Sequence, residues 1–329
     1  MAQKYHKFVN EENWKKVNKY NKELISDYAL EMKAQGKAEG TIYQYSNDLK
    51  IICVYILNEL DNKEFYKLKK KHFRNMVLYF QELGMSPSRI NRLMSAVRTL
   101  LEFASNEDDY EDEFQVNYAS KIKGLQKENV RDIVFLNWEQ IKCLYDELLN
   151  RQRFAEALLL ALAIDSAGRK NELYQVKKSS ITMKGNFTNE VVGKRGKKFK
   201  LMYNELTKEA YTYFMDWRGD DDLDELWVIK DNDGNVRPVA VSTLYNWVRS
   251  WREILDSEFD NIEGELNVHS LRHIALELLS TGEHYICKSL DKKFELSELK
   301  LLAHHNDIST TDSYLKPKDE DLLLEAFGL

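Results

Sequence analysis

Cysteine, proline and glycine are scarce in this chain, and a long apolar run is missing altogether. Three cysteines, Cys53, Cys143 and Cys287, are scattered without a C-x-x-C pair. That spacing excludes a disulfide framework and a cysteine zinc site, and it leaves reduced thiols among apolar neighbours. Proline occurs three times and glycine 13 times in 329 residues, so few segments are obliged to break and helical periodicity dominates. The longest apolar run, Ala157 to Ile164, is far short of the roughly 20 residues a membrane span needs. It reads as a buried helix, and no membrane partner is expected. The first residues, MAQKYHKFVN, lack the apolar core of a secretory signal, which points to the cytoplasm. An excess of positive charge is also lacking: 48 Lys and Arg face 54 Asp and Glu, for a net charge of −6 and a pI near 5.8. The basic total of many nucleic-acid-binding proteins is therefore absent. The imbalance is local, because residues 1–128 carry 21 basic and 19 acidic residues and the remainder 27 and 35. Much of the excess lies in the runs Glu107–Glu113 and Asp220–Glu225, which read as solvated loops.

What is present is enough for two domains, since 43% of the chain is hydrophobic and wholesale disorder is excluded. Residues 13–35 place Val17, Tyr20, Leu24, Tyr28 and Met32 on one face of an expected helix. A second helix, capped by Thr41, is expected through Leu60, a third over Lys70 to Leu83, and a fourth from Pro87 behind the cap Ser86. Together they make a small bundle. Residues 106–130 break the pattern and read as the interdomain linker, dividing the chain into 1–125 and 126–329. The second part is expected to hold the apolar helix, a strand pair around Ile181–Tyr203 with turn residues Gly185 and Gly196, a turn at Asp231–Gly234, and helices to the end.

A metal-free phosphodiester exchange needs fixed cations for the phosphate oxygens, a nucleophile in line, and groups that move protons. The chain offers Arg169, Lys194, His269, Arg272, His305 and Tyr314 in that order. Taken singly each has a plain structural reading: an Arg-x-x-Glu pair is most often a surface ion pair, and Tyr314 is one of 18 tyrosines. Their order and joint spacing carry more.

Residues 166–173 (SAGRKNEL), 191–198 (VVGKRGKK), 269–282 (HSLRHIALELLSTG) and 301–314 (LLAHHNDISTTDSY) resemble, in sequence order, the four boxes of the tyrosine recombinase or phage integrase family. GTIYQYSNDLK, SRINRLMSAVRTLLEFA and KIKGL in the first half are similar to phrases of that family's core-binding domain. The resemblance implies a mainly α fold with a small β-sheet. An N-terminal helical, SAM-like core-binding bundle would join a C-terminal catalytic domain, forming a C-shaped clamp on double-stranded DNA. It further implies that Arg169 and Arg272 clamp the scissile phosphate, Glu172 holds Arg169, and Lys194 protonates the leaving 5′-oxygen. His269 would share in proton transfer, His305 would hydrogen-bond the phosphate, and Tyr314 would attack to give a 3′-phosphotyrosyl link. No cofactor, metal or nucleotide is implied.

Three departures from the pattern stand out. Ala303-His304-His305 replaces the expected Gly-His; counting back from Tyr314 selects His305, and counting forward from the paired leucines selects His304. The stretch between Arg272 and His305 carries the insert SLDKKFELSE, and the chain is acidic. A second reading therefore stands beside the first, a recombinase-fold transcription regulator that grips DNA without cutting it, such as a lysogeny repressor of the SPbeta phage type. On either reading Ser88, Arg89, Asn91, Arg92, Ser95 and Arg98 are candidates for base or phosphate contact. Lys69, Lys70 and Lys71, with Lys197, Lys198 and Lys200, are phosphate candidates. The segment STLYNWVRSWR from Ser242 is a further candidate reading element. The apolar tail, with Leu322, Leu323, Leu324, Phe327 and Leu329, is expected to mediate self-association on DNA.

Overall fold

The computed structural model describes residues 8–126, 133–231, 233–260 and 262–315. The chain divides into two compact units, Met1–Val130 and Arg131–Leu329, each with its own apolar core.

The first unit is built from α1 (Glu11–Lys16), α2 (Lys19–Ala34), α3 (Glu39–Glu59), α4 (Lys70–Glu82) and α5 (Pro87–Ala104). The single helix expected over 13–35 is broken at Val17–Asn18. Asn18 accepts a hydrogen bond from the Asn21 N–H and donates to the Asn62 carbonyl at 2.7 Å, so a polar cap overrides the apolar periodicity there. Helix α3 begins at Glu39, ahead of Thr41, with no side-chain cap. Helix α5 begins as expected, with Ser86 capping and Pro87 in the first turn. Leu24, Ile52, Phe73, Leu93 and Leu100 are wholly buried, each worth roughly 1.5–3 kcal/mol.

The stretch expected as a linker instead packs back on this unit as far as residue 125. Phe114 and Ala119 enter its core, and the hydroxyls of Tyr20 and Tyr110 donate to Glu113 and Asp27 at 2.5 Å. Part of the acidic run Glu107–Glu113 is therefore fastened and is not a free loop.

The second unit runs α6 (Trp138–Asn150), α7 (Phe154–Ser166), α8 (Lys170–Tyr174), β1 (Phe187–Val192), β2 (Lys198–Met202), α9 (Glu205–Arg218), β3 (Val228–Lys230), β4 (Val236–Pro238), α10 (Val241–Ser250), α11 (Arg252–Glu258), α12 (Val268–Thr281), α13 (Tyr285–Leu290), α14 (Leu296–Leu302) and α15 (Ile308–Asp312). Every residue of α7 from Ala155 to Ser166 is buried, as its apolar run demands, and α9 and α12 pack on it. Its buried carboxylates are satisfied: Asp165 accepts from Thr207 and Tyr285, and Glu156 from Trp251 and Arg153. The strands form two separate antiparallel hairpins. The turn expected at Asp231–Gly234 closes the second, whose strands are too short to show alternation. In the run Asp220–Glu225, Asp221 accepts from Arg218 at 2.6 Å and Asp224 from the Ser179 N–H. Arg218 holds the Asp221 carboxyl well below the usual range. The segment STLYNWVRSWR is not one helix, because α10 ends at Ser250 and Trp251 is buried at the junction, donating to Glu156. Cys53 and Cys287 are buried, Cys143 is half-buried, and all three are free thiols. Among the described residues no helix is long and apolar enough to cross a membrane. The tail residues Leu322, Leu323, Leu324, Phe327 and Leu329 lie outside the described residues.

Candidate functional site

The site grows from the end of α7. Ala167 adopts φ 50°, which turns the chain out of the helix. Gly168 follows where a Cβ would stand 2.9 Å from Leu173 Cδ2, so any larger residue would push the Leu173 side chain aside. Arg169 then caps α8. Its N–H and its guanidinium both donate to the buried carboxylate of Glu172, at 2.8 and 3.1 Å, which fixes the direction of the side chain.

Helix α12 brings His269, Arg272 and His273 to the same place, one helical turn holding all three. Arg272 is 1% exposed. Its Nη1 donates to the Ala167 carbonyl, and its Nη2 donates to the Ala303 carbonyl and to His305 Nε2, both at 2.6 Å. Its Nε is buried and has no hydrogen-bond partner. Burial, then the charge of Arg169, pulls the guanidinium pKa down to about 10. Arg169 is therefore near enough for its charge to act on Arg272.

Because His305 Nε2 accepts from Arg272, its Nδ1 carries the proton and donates to Thr311 Oγ1 at 3.0 Å. Burial and the neighbouring guanidiniums lower its pKa to about 3. Both ring nitrogens are thus engaged within the protein, so in this state His305 orients Arg272 and offers no hydrogen bond to a phosphate. Tyr314, 9% exposed, closes the cluster. Its ring centroid lies 4.3, 5.1 and 5.3 Å from those of His273, His305 and His269, and 5.1 Å from the Arg272 guanidinium. Desolvation, reinforced by His273 and Arg272, lowers His269 to about 4. It is neutral at pH 7.

The geometry separates the two histidines that counting left open. His304 has φ 52°, a left-handed conformation that favours glycine, and it turns away to stack on Phe199 at 3.9 Å. His305 is the one that faces Arg272 and Tyr314. At the β1–β2 hairpin, Gly193 allows Phe199 to lie against the backbone, where a Cβ would come within 2.6 Å of its ring. Lys197 Nζ donates to the His304 carbonyl and to Asn306 Oδ1, each at 3.2 Å, so the hairpin is fastened to the loop ahead of α15. Lys194 stands exposed on the hairpin turn, with no hydrogen bond or ion pair among the described residues, and is not brought into the cluster. Lys198 pairs with Glu190 at 3.4 Å, and Lys200 is exposed on β2.

In the first unit the candidates of α5 divide. Asn91 exchanges two hydrogen bonds with the Leu125 backbone, both at 2.8 Å, and Arg98 donates to the carbonyls of Ala119 and Ile122. These side chains hold the stretch 117–125 against the bundle, which corrects their expected place on an open face. Arg89 and Arg92 share the wholly buried carboxylate of Asp48, at 2.7 and 2.9 Å, with part of each side chain exposed. Ser88 is exposed and Ser95 half-buried. Lys69, Lys70 and Lys71 are exposed at the start of α4, with Lys69 lying over the Tyr118 ring. In the second unit Ser242, Asn246 and Arg249 are exposed on one face of α10.

Sequence reasoning gave no role to Thr311, His273, Phe199 or Asp48. The first two were inside the quoted boxes, and His273 lies four residues from His269 on one helix face. Asp48 gave no signal, because its two arginine partners lie more than 40 residues away.

Arg169, Arg272, neutral histidines and an enclosed tyrosine thus meet where the ends of α7, α12 and α15 come together. Residues 134–321 match the model of the phage integrase family, and the chain belongs to that family of tyrosine recombinases. It is 24% identical over 325 residues to the SPbeta prophage-derived recombinase-like protein YomM of Bacillus subtilis (strain 168), covering 94% of this chain and 91% of that protein. It is 22% identical to the tyrosine recombinase XerD of Halalkalibacterium halodurans, covering 85% and 88%. Among solved structures, a lambda integrase dimer bound to a COC′ core site matches with TM-score 0.65 at 15% identity, covering 89% of this chain and 76% of that one. The XerH recombinase bound to palindromic difH matches with TM-score 0.63 at 17% identity, covering 90% and 82%. These likenesses show the fold, mainly helical with small two-stranded sheets.

Proposed function

We propose that this protein binds double-stranded DNA at a specific sequence and exchanges strands through a 3′-phosphotyrosyl link at Tyr314. The observation that carries the reading is the buried, unpartnered Nε of Arg272 beside Arg169 and Tyr314: a donor that lacks an acceptor within reach of the nucleophile. A phosphate between Arg169 and Arg272 supplies that acceptor and neutralises the pair. Tyr314 attacks phosphorus, its proton passing to neutral His269. The bond to the 5′-oxygen breaks, and that oxygen takes a proton from Lys194 once the hairpin turn moves in on DNA. The link conserves the energy of the phosphodiester, so religation needs no nucleotide. Lys69, Lys70, Lys71, Lys197, Lys198 and Lys200 serve as phosphate contacts, and self-association on DNA through the apolar tail belongs to the same reading.

A second reading, regulation by binding alone, is favoured by the position of Lys194 outside the cluster. One experiment separates them. The protein is incubated with fragmented genomic DNA of its source, and retained fragments are washed either in native buffer or in hot detergent. The recombinase reading expects fragments that survive detergent with the natural protein and not with Tyr314→Phe, while native retention is the same for both. Retention in native buffer only, clustered near promoters, overturns it in favour of the regulator.

A further inference from the structure

We propose that His273 is a positioning residue for the nucleophile, holding Tyr314 in its own protomer's site through the Tyr314 backbone carbonyl and ring. The inference rests on Tyr314 being the nucleophile.

The segment from His305 to Tyr314 touches the rest of the unit at few points. Residues 306–310, 312 and 313 are exposed, and only His305, Thr311 and Tyr314 are buried. His305 is fixed by Arg272, and Thr311 is fixed by His305. Asn306 accepts from Lys197 Nζ at 3.2 Å, so these attachments all lie at, or lead back to, the start of the segment. The far end needs its own anchor. There His273 Nδ1 donates to the Tyr314 carbonyl at 2.9 Å, the only polar contact that the Tyr314 backbone makes outside its own segment among the described residues. The His273 ring lies 4.3 Å from the Tyr314 ring at 30°, with Leu315 packing beside it on the core.

His273 is itself enclosed. It is 5% exposed on α12, next in sequence to Arg272. Phe135 meets its ring edge at 6.2 Å and His269 at 5.0 Å. The nucleophile is thus referred to the same helix that carries the phosphate-facing Arg272, so attacking and receiving groups share one rigid frame. A displacement of about 1 Å in such a frame costs on the order of 100-fold in rate.

His273→Leu keeps bulk and removes the donor. His273→Asn returns an amide N–H near the place of Nδ1 without the ring. On fragments recovered as above, His273→Leu is expected to form the detergent-stable adduct about 10- to 100-fold more slowly, with native retention unchanged. His273→Asn is expected to recover most of the rate. Equal rates for His273→Leu and the natural protein overturn the proposal, as does an Asn variant no faster than Leu. A core role alone would lower thermal stability and DNA retention together and show no rescue by Asn. Hydrogen exchange at the Tyr314 and Leu315 amides, read without DNA, keeps the anchoring separate from the reaction. Faster exchange in His273→Leu, corrected in His273→Asn, is expected even if no adduct ever forms, in which case only the nucleophile reading fails. Unchanged exchange in His273→Leu overturns the anchor itself.

Discussion

Mild acid should weaken the second unit sharply, because its histidines are held neutral by burial. His284 and His305 are 0% and 6% exposed, and desolvation, the largest cause in each, pulls them down to about 4 and about 3. In the unfolded chain both titrate near 6.5. Below that pH the unfolded state binds protons that the folded state refuses, so stability present above pH 6.5 is lost as the pH falls towards the folded values. At pH 5 each of the two histidines removes about 2 kcal/mol relative to neutral pH. The sum, about 4 kcal/mol, is a large share of the roughly 5–15 kcal/mol that holds a domain together. His269, His273 and His304 are lowered as well and act in the same direction. Five of the six tryptophans, Trp138, Trp217, Trp227, Trp247 and Trp251, belong to this unit, so tryptophan fluorescence in urea reports it. The midpoint is expected to fall by roughly 2 M between pH 7.5 and pH 5. His305→Asn and His284→Gln should each flatten that pH dependence by about 2 kcal/mol, or roughly 1 M in midpoint. Equal midpoints at the two pH values for the natural protein would refute the argument.

Asp48→Asn should lower the stability of the first unit by about 1–3 kcal/mol, followed through Trp14 fluorescence in a chain whose other tryptophans are replaced. It should also raise retention on unrelated duplex DNA by freeing Arg89 and Arg92; weaker retention would count against the shared-carboxylate argument. Truncation after Lys318 should abolish cooperative DNA binding and leave the affinity of a single protomer unchanged, and cooperativity that survives would exclude the tail as the link between protomers.

The elements with clean periodicity or a strong start signal were readable in advance: α4, α5 with Ser86 and Pro87, the apolar α7 and the β1–β2 hairpin. The chemical cluster was readable through the joint spacing of its boxes, which places Arg169, His269, Arg272 and Tyr314 on three elements of one core. Counting could not choose between His304 and His305, because the choice rests on a backbone dihedral at one residue. Nor could it show that Asn91 and Arg98 face inward. A polar stripe on α5 is visible in the sequence, but the carbonyls of Ala119, Ile122 and Leu125 that cover it lie 21 to 34 residues away. The break at Asn18 was missed although its cap, to the Asn21 N–H, is local, because the apolar periodicity runs through it.

The carboxylate that Arg89 and Arg92 share acts as an internal competitor for whatever those arginines approach. A duplex that offers acceptors to both can draw the pair off together. One that offers an acceptor to a single arginine leaves the other with Asp48 and gains little. Were Arg89 and Arg92 to read DNA, this arrangement would weaken the grip on the correct sequence and weaken the grip on near matches more. Among the very many wrong sites of a genome that ratio governs occupancy. In a chain with little positive charge to spare, Asp48 of α3, lying against the first turns of α5, would then be an aid to selectivity.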